Sequence, residues 1–174
     1  MQAYRRAREP AMKADLFRLA LLAREGGVWV DADDRCLRSI EPLLADGIGL
    51  LGYQEDLGSI GNNILAVAPS HPVIARALQE ACDAVNRGDG DILWLSTGPG
   101  LLTRILNGAL CGGSLAVEHV RILDRPQMLA HAAIHCLAAY KASERHWSRT
   151  AFGRARPKVS SATAQATRAT SPSA

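Results

Sequence analysis

Three carboxylates stand close together in GGVWVDADDR, residues 26–35: Asp31, Asp33 and Asp34. Acids gathered at the end of the apolar run Val28-Trp29-Val30 repel one another unless positive charge meets them. If the chain stays extended through Ala32, Asp31 and Asp33 point to the same side. Two oxygen ligands so placed suit Mg²⁺ or Mn²⁺ better than zinc. The spacing therefore predicts metal ligation by Asp31 and Asp33, with Asp34 as a turn or supporting residue. The plainer alternative is a turn or helix N-cap after a strand, where Asp is common.

A second polar pair lies upstream. Asp15 and Arg18 are three residues apart in AMKADLFRLALLAREGG, on one side of an otherwise apolar helix. They form either an internal salt bridge or a spot that bonds a hydroxyl-rich or phosphorylated ligand, the guanidinium being suited to anions. STGPG, residues 96–100, opens a helix and could offer backbone N–H groups to a phosphate, or be an ordinary helix entry. It is not a P-loop, because no Gly-Lys-Ser/Thr follows. His131 and His135 stand four apart without a third ligand and read as a polar face; His71 reads as a loop residue. Trp29 is core or shares the face of Asp31, and Trp94 is assigned to packing.

The elements that must position these groups are legible from period and punctuation. Pro10 starts the helix carrying Asp15 and Arg18, and Gly26 or Gly27 closes it. Its apolar residues occupy nearly every face, which predicts a buried helix. VWVDAD is a strand, RCLRSIEPLL a short irregular or helical piece, IGLLGYQ a strand, and EDLGSIGNN a loop. ILAVAP is a buried strand, and HPVIARALQEACDAVNRG an amphipathic helix. DILWLS is a short strand or helix, and TGPGLLTRILNGAL a loop feeding a helix. LAVEHVRILD is a strand, and QMLAHAAIHCLAAYKAS a helix or broken strand. Helices alternating with apolar strands imply an α/β domain.

At 174 residues with 48% apolar content the chain suits one domain with a sizeable core. Four of its 20 basic residues (Arg154, Arg156, Lys158 and Arg168) lie beyond residue 153, where there is no acid. That leaves 16 bases against 17 acids in residues 1–153. The basic balance belongs to the tail, so the body gives no reason to expect a nucleic-acid partner. The expected division is a domain over residues 1–153 and a disordered Ser/Thr/Ala-rich tail over 154–174. Cys36, Cys82, Cys111 and Cys136 are scattered and read as reduced thiols. No transmembrane segment and no cleavable leader are expected. The expected setting is cytoplasmic, with room for peripheral attachment to a membrane.

The stretch KADLFRLALLAREGGVWVDADDRCLRSIEPLL resembles the core of the DXD-containing sugar transferases. These include capsular-polysaccharide and mannosyltransferase-like enzymes, distantly akin to glucosylating bacterial toxins. The matching positions are Ala14, Asp15, Arg18, Gly26, Gly27, Trp29, Asp31 and Asp33. GNNILAVAPSHPVI, STGPGLLTRIL and RHWSR resemble the family's later blocks in order.

The resemblance implies a GT-A-like nucleotide-sugar-binding mixed sheet flanked by helices, its first strand unaccounted for. It implies Mn²⁺ or Mg²⁺ held by Asp31 and Asp33 at the diphosphate, and contact of Asp15 and Arg18 with the donor sugar. Asn62 or Asn63 would line the donor or acceptor side, and Thr97, Gly98 and Pro99 the loop beside it. His146, Trp147 and Ser148 would close the site, with His135 as an alternative to His146. The function implied is metal-dependent, retaining transfer from a nucleotide-sugar donor to a saccharide or lipid-linked acceptor.

Two alternatives compete with this one. The first is an inactive, truncated remnant of such a transferase, suggested by the dozen or so residues before the Asp15 helix. The second is a phosphatase of the haloacid-dehalogenase kind, with Asp31 as nucleophile and ILWLST as its second strand. That chemistry also needs a downstream lysine followed by paired acids, which the sequence does not supply.

Overall fold

A computed structural model describes residues 2–45, 47–89, 92–112 and 119–142. A short helix α1 (Gln2–Arg6) precedes α2 (Pro10–Glu25), which starts at the proline and stops at Gly26. Gly26 has φ 66°, and a Cβ there would lie 2.6 Å from the backbone nitrogen of Pro69. Only glycine meets both demands, so the chain can leave α2 and enter β1 (Gly27–Val30) at once. This junction sets the distance between the polar pair on α2 and the acids after β1.

The order continues with β2 (Arg35–Cys36), a 3-10 turn over Glu41–Leu43, β3 (Leu50–Tyr53) and β4 (Ile64–Val67). Helix α3 (Pro72–Arg87) ends at Gly88 in the left-handed conformation. Then come α4 (Leu93–Ser96), α5 (Pro99–Leu110), β5 (Val120–Leu123), α6 (Arg125–Leu129), β6 (Ala132–Ala133) and a 3-10 turn over Ala139–Ala142. Asp124 caps α6 through a capping box with Gln127.

Four strands form one mixed sheet in the order β1-β4-β3-β5. β4 runs antiparallel to both β1 and β3, and β3 is parallel to β5. β2 and β6 make a separate two-stranded ribbon. Alternation along the strands feeds two cores. Leu50, Leu65 and Val67 pack with Leu16, Leu19 and Leu22 of α2, Val73, Ile74 and Ala77 of α3, and Leu101 and Leu106 of α5. Leu51, Tyr53, Ile64, Ala66 and Leu123 face the other way, toward Met128 and Ala132. Burying each large aliphatic chain contributes about 1.5–3 kcal/mol. The expected mixed sheet flanked by helices is present.

Several local expectations differ from what forms. α2 is not buried all round: Phe17 is 46% exposed, and the buried face is Met12, Asp15, Leu16, Arg18, Leu19 and Leu22. Its sequence is apolar on the outer side as well, so period could not identify the face that packs. The segment after residue 124 splits into α6, the short β6 and a 3-10 turn, because the chain returns to pair with β2. DILWLS supplies a helical turn. Among the described residues, no helix is long and apolar enough to cross a membrane. The tail over 154–174 lies outside the described residues.

Candidate functional site

β1 delivers the acids to the end of the sheet where β3 also finishes and β4 begins. The ladder with β4 continues one step past the strand, the Asp31 N–H donating to the Asn63 carbonyl at 2.9 Å. The chain then turns through Ala32 and Asp33, and the Asp34 N–H donates back to the Asp31 carbonyl at 2.9 Å. The extended geometry expected for Asp31-Ala32-Asp33 is therefore replaced by a turn, and Asp31 and Asp33 enter different networks.

The first network is built around Arg18. It donates from Nη1 to Asp15 Oδ1 at 3.1 Å and from Nη2 to Asp31 Oδ1 at 2.7 Å. The Trp29 indole N–H donates to the same Asp31 oxygen at 2.7 Å, and the guanidinium carbon lies 5.1 Å from the Trp29 ring centroid. Asp15 Oδ1 also accepts from Asn62 Nδ2 at 3.0 Å, and its Oδ2 accepts from the Thr97 hydroxyl at 2.9 Å. Asp15 and Arg18 are 9% and 4% exposed, so each charge must be paired. Burial pushes the Asp15 carboxyl up to about 6, against the opposing pull of Arg18, Thr97 and Asn62. It remains ionised at neutral pH. The i, i+3 pair is thus an internal salt bridge that also reaches an acid of the downstream cluster. Trp29 both packs and bonds Asp31. Every described side-chain bond to Asp31 falls on Oδ1, and Arg18 Nε is buried without a hydrogen-bond partner among the described residues.

The second network contains Asp33, Asp34 and His135, whose ligand atoms lie within 4.8 Å of one another. Asp34 Oδ1 accepts from the His135 backbone N–H at 2.7 Å, and Oδ2 accepts from Asn63 Nδ2 at 2.6 Å. Asn63 is itself held by the Tyr53 hydroxyl at 2.7 Å. Lys141 Nζ pairs with Asp33, and His135 Nδ1 lies 4.0 Å from the same carboxylate. Partial burial opposes ionisation of Asp33, but the Lys141 bond, a backbone hydrogen bond and the neighbouring charges together outweigh it and hold the carboxyl below its ordinary range. Burial raises Asp34 despite the His135 and Asn63 donors. The partnership with Glu55 raises His135 and lowers Glu55. His135 has φ 53°, a conformation that costs a non-glycine residue about 1–3 kcal/mol and here aims its N–H at Asp34.

Two carboxylates and an imidazole are a donor set that accepts a borderline-hard divalent cation such as Mn²⁺. The positive charge that meets these acids in this structure comes from Arg18 and Lys141, with the His135 imidazole beside them. The residues present fit a divalent ion: Asp33 is ionised, three ligand groups converge, and Asp31 Oδ2 carries none of the described bonds.

Of the residues expected at a site, Asp15, Arg18, Asp31, Asn62 and Thr97 meet in the first network. Asn63 and Asp33 belong to the second, on either side of Asp34. Gly98 is the buried N-cap of α5 and bonds none of the described site residues. His146, Trp147 and Ser148 lie outside the described residues. His135, the expected alternative to His146, stands in the acid cluster. Its spacing from His131 was uninformative because α6 ends before both, and His131 turns to the Ser39 carbonyl. Tyr53, Glu55 and Lys141 were not singled out. Nothing in their local sequence separates them from core or surface residues.

Asp15, Arg18, Trp29 and Asp31 of the first network fall in the segment that comparison with known proteins matches. Residues 1–48 match the family model described as the glycosyltransferase sugar-binding region containing DXD motif. Over 70 residues the chain is 37% identical to the mannosyl phosphorylinositol ceramide synthase SUR1 of Saccharomyces cerevisiae, covering 40% of this chain and 18% of that protein. Over 106 residues it is 30% identical to the toxin Afp18 of Yersinia ruckeri, covering 58% of this chain and 5% of the toxin. Among solved structures, the PaToxG glycosyltransferase superposes with a TM-score of 0.50 at 26% identity, covering 59% of this chain and 37% of that one. The chain spans less than a fifth of the length of these curated relatives.

Proposed function

We propose that this chain, whose residues 1–48 match the DXD-containing sugar-binding region of glycosyltransferases, transfers a sugar from a nucleotide-sugar donor to a saccharide or lipid-linked acceptor. The observation that carries the reading is the buried Asp15–Arg18–Asp31 chain beside the Asp33/Asp34/His135 cluster. It is an anion-recognising guanidinium set against a divalent-cation donor set, at the end of a GT-A-like mixed sheet.

In this reading Asp33, with Asp34 and His135, and Asp31 through its Oδ2, hold Mn²⁺ or Mg²⁺. The ion would supply Lewis-acid stabilisation of the negative charge that builds on the departing diphosphate. The chain's own residues do the remaining work. Trp29 and Arg18 fix the Asp31 carboxylate in one orientation, so little reorganisation is needed when ligand arrives. Asp15 holds Arg18, Asn62 and Thr97 in register, and the half-buried Asn62 faces donor hydroxyls. Gly98 shapes the loop beside it, and His146, Trp147 and Ser148 close the site. Transfer with retained anomeric configuration is part of the proposal.

The deciding experiment is nucleotide-sugar hydrolysis or transfer measured with and without Mn²⁺. Asp31→Ala and Asp33→Ala are expected to lower the rate by 100-fold or more, a size typical of lost electrostatic stabilisation. Metal-independent turnover, or full activity in both variants, would refute the assignment. The phosphatase alternative requires a strand at DILWLS, where the chain forms helix α4 and Thr97 bonds Asp15.

A further inference from the structure

A cavity of about 290 Å³ opens beside the acid cluster, and none of the roles above uses it. Glu55, Asp56, Ser59, Trp94, Arg125 and His135 line it. His135 is shared with the Asp33/Asp34 cluster, so the cavity and the candidate metal donors are immediate neighbours. Its polar groups contact one another. Glu55 accepts from the Ser59 hydroxyl at 2.9 Å and faces His135 Nε2 at 3.8 Å, while Arg125 Nε lies 3.6 Å from Asp56.

Trp94 is the unusual member of this lining. Its side chain is seated by two glycines of the STGPG loop. A Cβ on Gly100 would fall 2.3 Å from the indole Cε3, and one on Gly98 would lie 3.2 Å from the Trp94 Cα. The ring therefore lies on the bare backbone of Gly100, yet Trp94 stays 43% exposed. A large aromatic packed on one side and left open on the other is a platform for a ligand with a flat apolar face. The glycines that resembled a phosphate loop make room for this ring.

The charges decide which ligand class fits. The lining sets two carboxylates, Glu55 and Asp56, against the Arg125 guanidinium, so there is no excess of positive charge to attract a phosphate or a nucleotide. A pyranose is uncharged. It presents a C–H face for an indole and a ring of hydroxyls that donate to carboxylates. The volume is at the small end for ligand pockets, which suits a single sugar ring better than a longer chain. We propose that this cavity is a subsite for a neutral pyranose acceptor, stacked on Trp94 and hydrogen-bonded by Glu55 and Asp56. The proposal rests on the glycosyl-transfer reading above.

Ligand-observed saturation-transfer NMR tests it directly, using methyl glucoside, galactoside and mannoside with Mn²⁺ present, with and without a nucleotide sugar. At least one hexoside is expected to bind the wild-type chain. Trp94→Ala should weaken that binding by roughly tenfold, and Trp94→Phe should restore most of it. Asp56→Ala, at an exposed carboxylate, is a second variant that should weaken binding without threatening the fold. Circular dichroism verifies that each variant remains folded. Absence of hexoside binding, or binding unaffected by both Trp94→Ala and Asp56→Ala, would overturn the subsite. If the wild-type chain binds the nucleotide sugar in the same samples, the transferase reading survives that result. If it binds neither, both are overturned.

Discussion

Burial and three hydrogen-bond donors act in opposite directions on Asp15. Burial dominates and lifts its carboxyl from an ordinary 3.8 to about 6. The folded state therefore binds more protons than the unfolded state between those values. Stability from this group is fully present below about pH 4 and is lost as pH rises toward 6, by about 3 kcal/mol in all. At neutral pH the fold carries that cost in exchange for a fixed Arg18. Asp15→Asn should remove this slope from the urea midpoint between pH 4 and 6, whatever its effect on absolute stability. An unchanged slope would show that Asp15 titrates normally. The same residue marks how far local sequence reading reaches. Its pairing with Arg18 is visible three residues away on a helix, whereas Thr97 lies 82 residues off and could only be met through folding.

At the scale of elements, the joint between α4 and α5 carries more than its sequence suggests. Pro99 opens α5, as its position in STGPG predicts. The glycines around it have a tertiary purpose, because Trp94 of the preceding turn lies over Gly100. Gly100→Ala improves the helix propensity of α5 by about 1 kcal/mol yet places a methyl inside the indole ring. We expect a net loss of stability and a red-shifted tryptophan emission as the ring is displaced into solvent. A stabilised protein with unchanged emission would contradict the packing. The β1 strand shows the converse case. Its Gly-Gly entry and apolar run were readable from sequence, but not the turn that follows, since Asp34 selects its backbone partner by local geometry rather than by type.

For the molecule as a whole, the acids are met by groups drawn from remote parts of the chain. Lys141 and the His135 imidazole come from the segment after α6, and Arg18 comes from α2. A divalent ion bound only by the folded state should add about 2.7 kcal/mol of stability at a hundred times its dissociation constant, so that the melting temperature climbs with the logarithm of its concentration. Asp33→Ala should abolish the Mn²⁺ response, and a response that persists would move the site elsewhere. By itself the sequence determined what neighbours along the chain can settle. Prolines open α2, α3 and α5, Gly26 and Gly88 close α2 and α3, and three acids follow an apolar strand. These depend on backbone dihedrals and on spacings of a few residues. The tertiary structure alone decided which acids share a site. His135 reaches Asp34 across 101 residues, while Asp31 meets Arg18 from α2 and the indole of Trp29. Such partners are chosen by packing of the sheet and the returning β6 segment, and no spacing rule in the sequence encodes that distance.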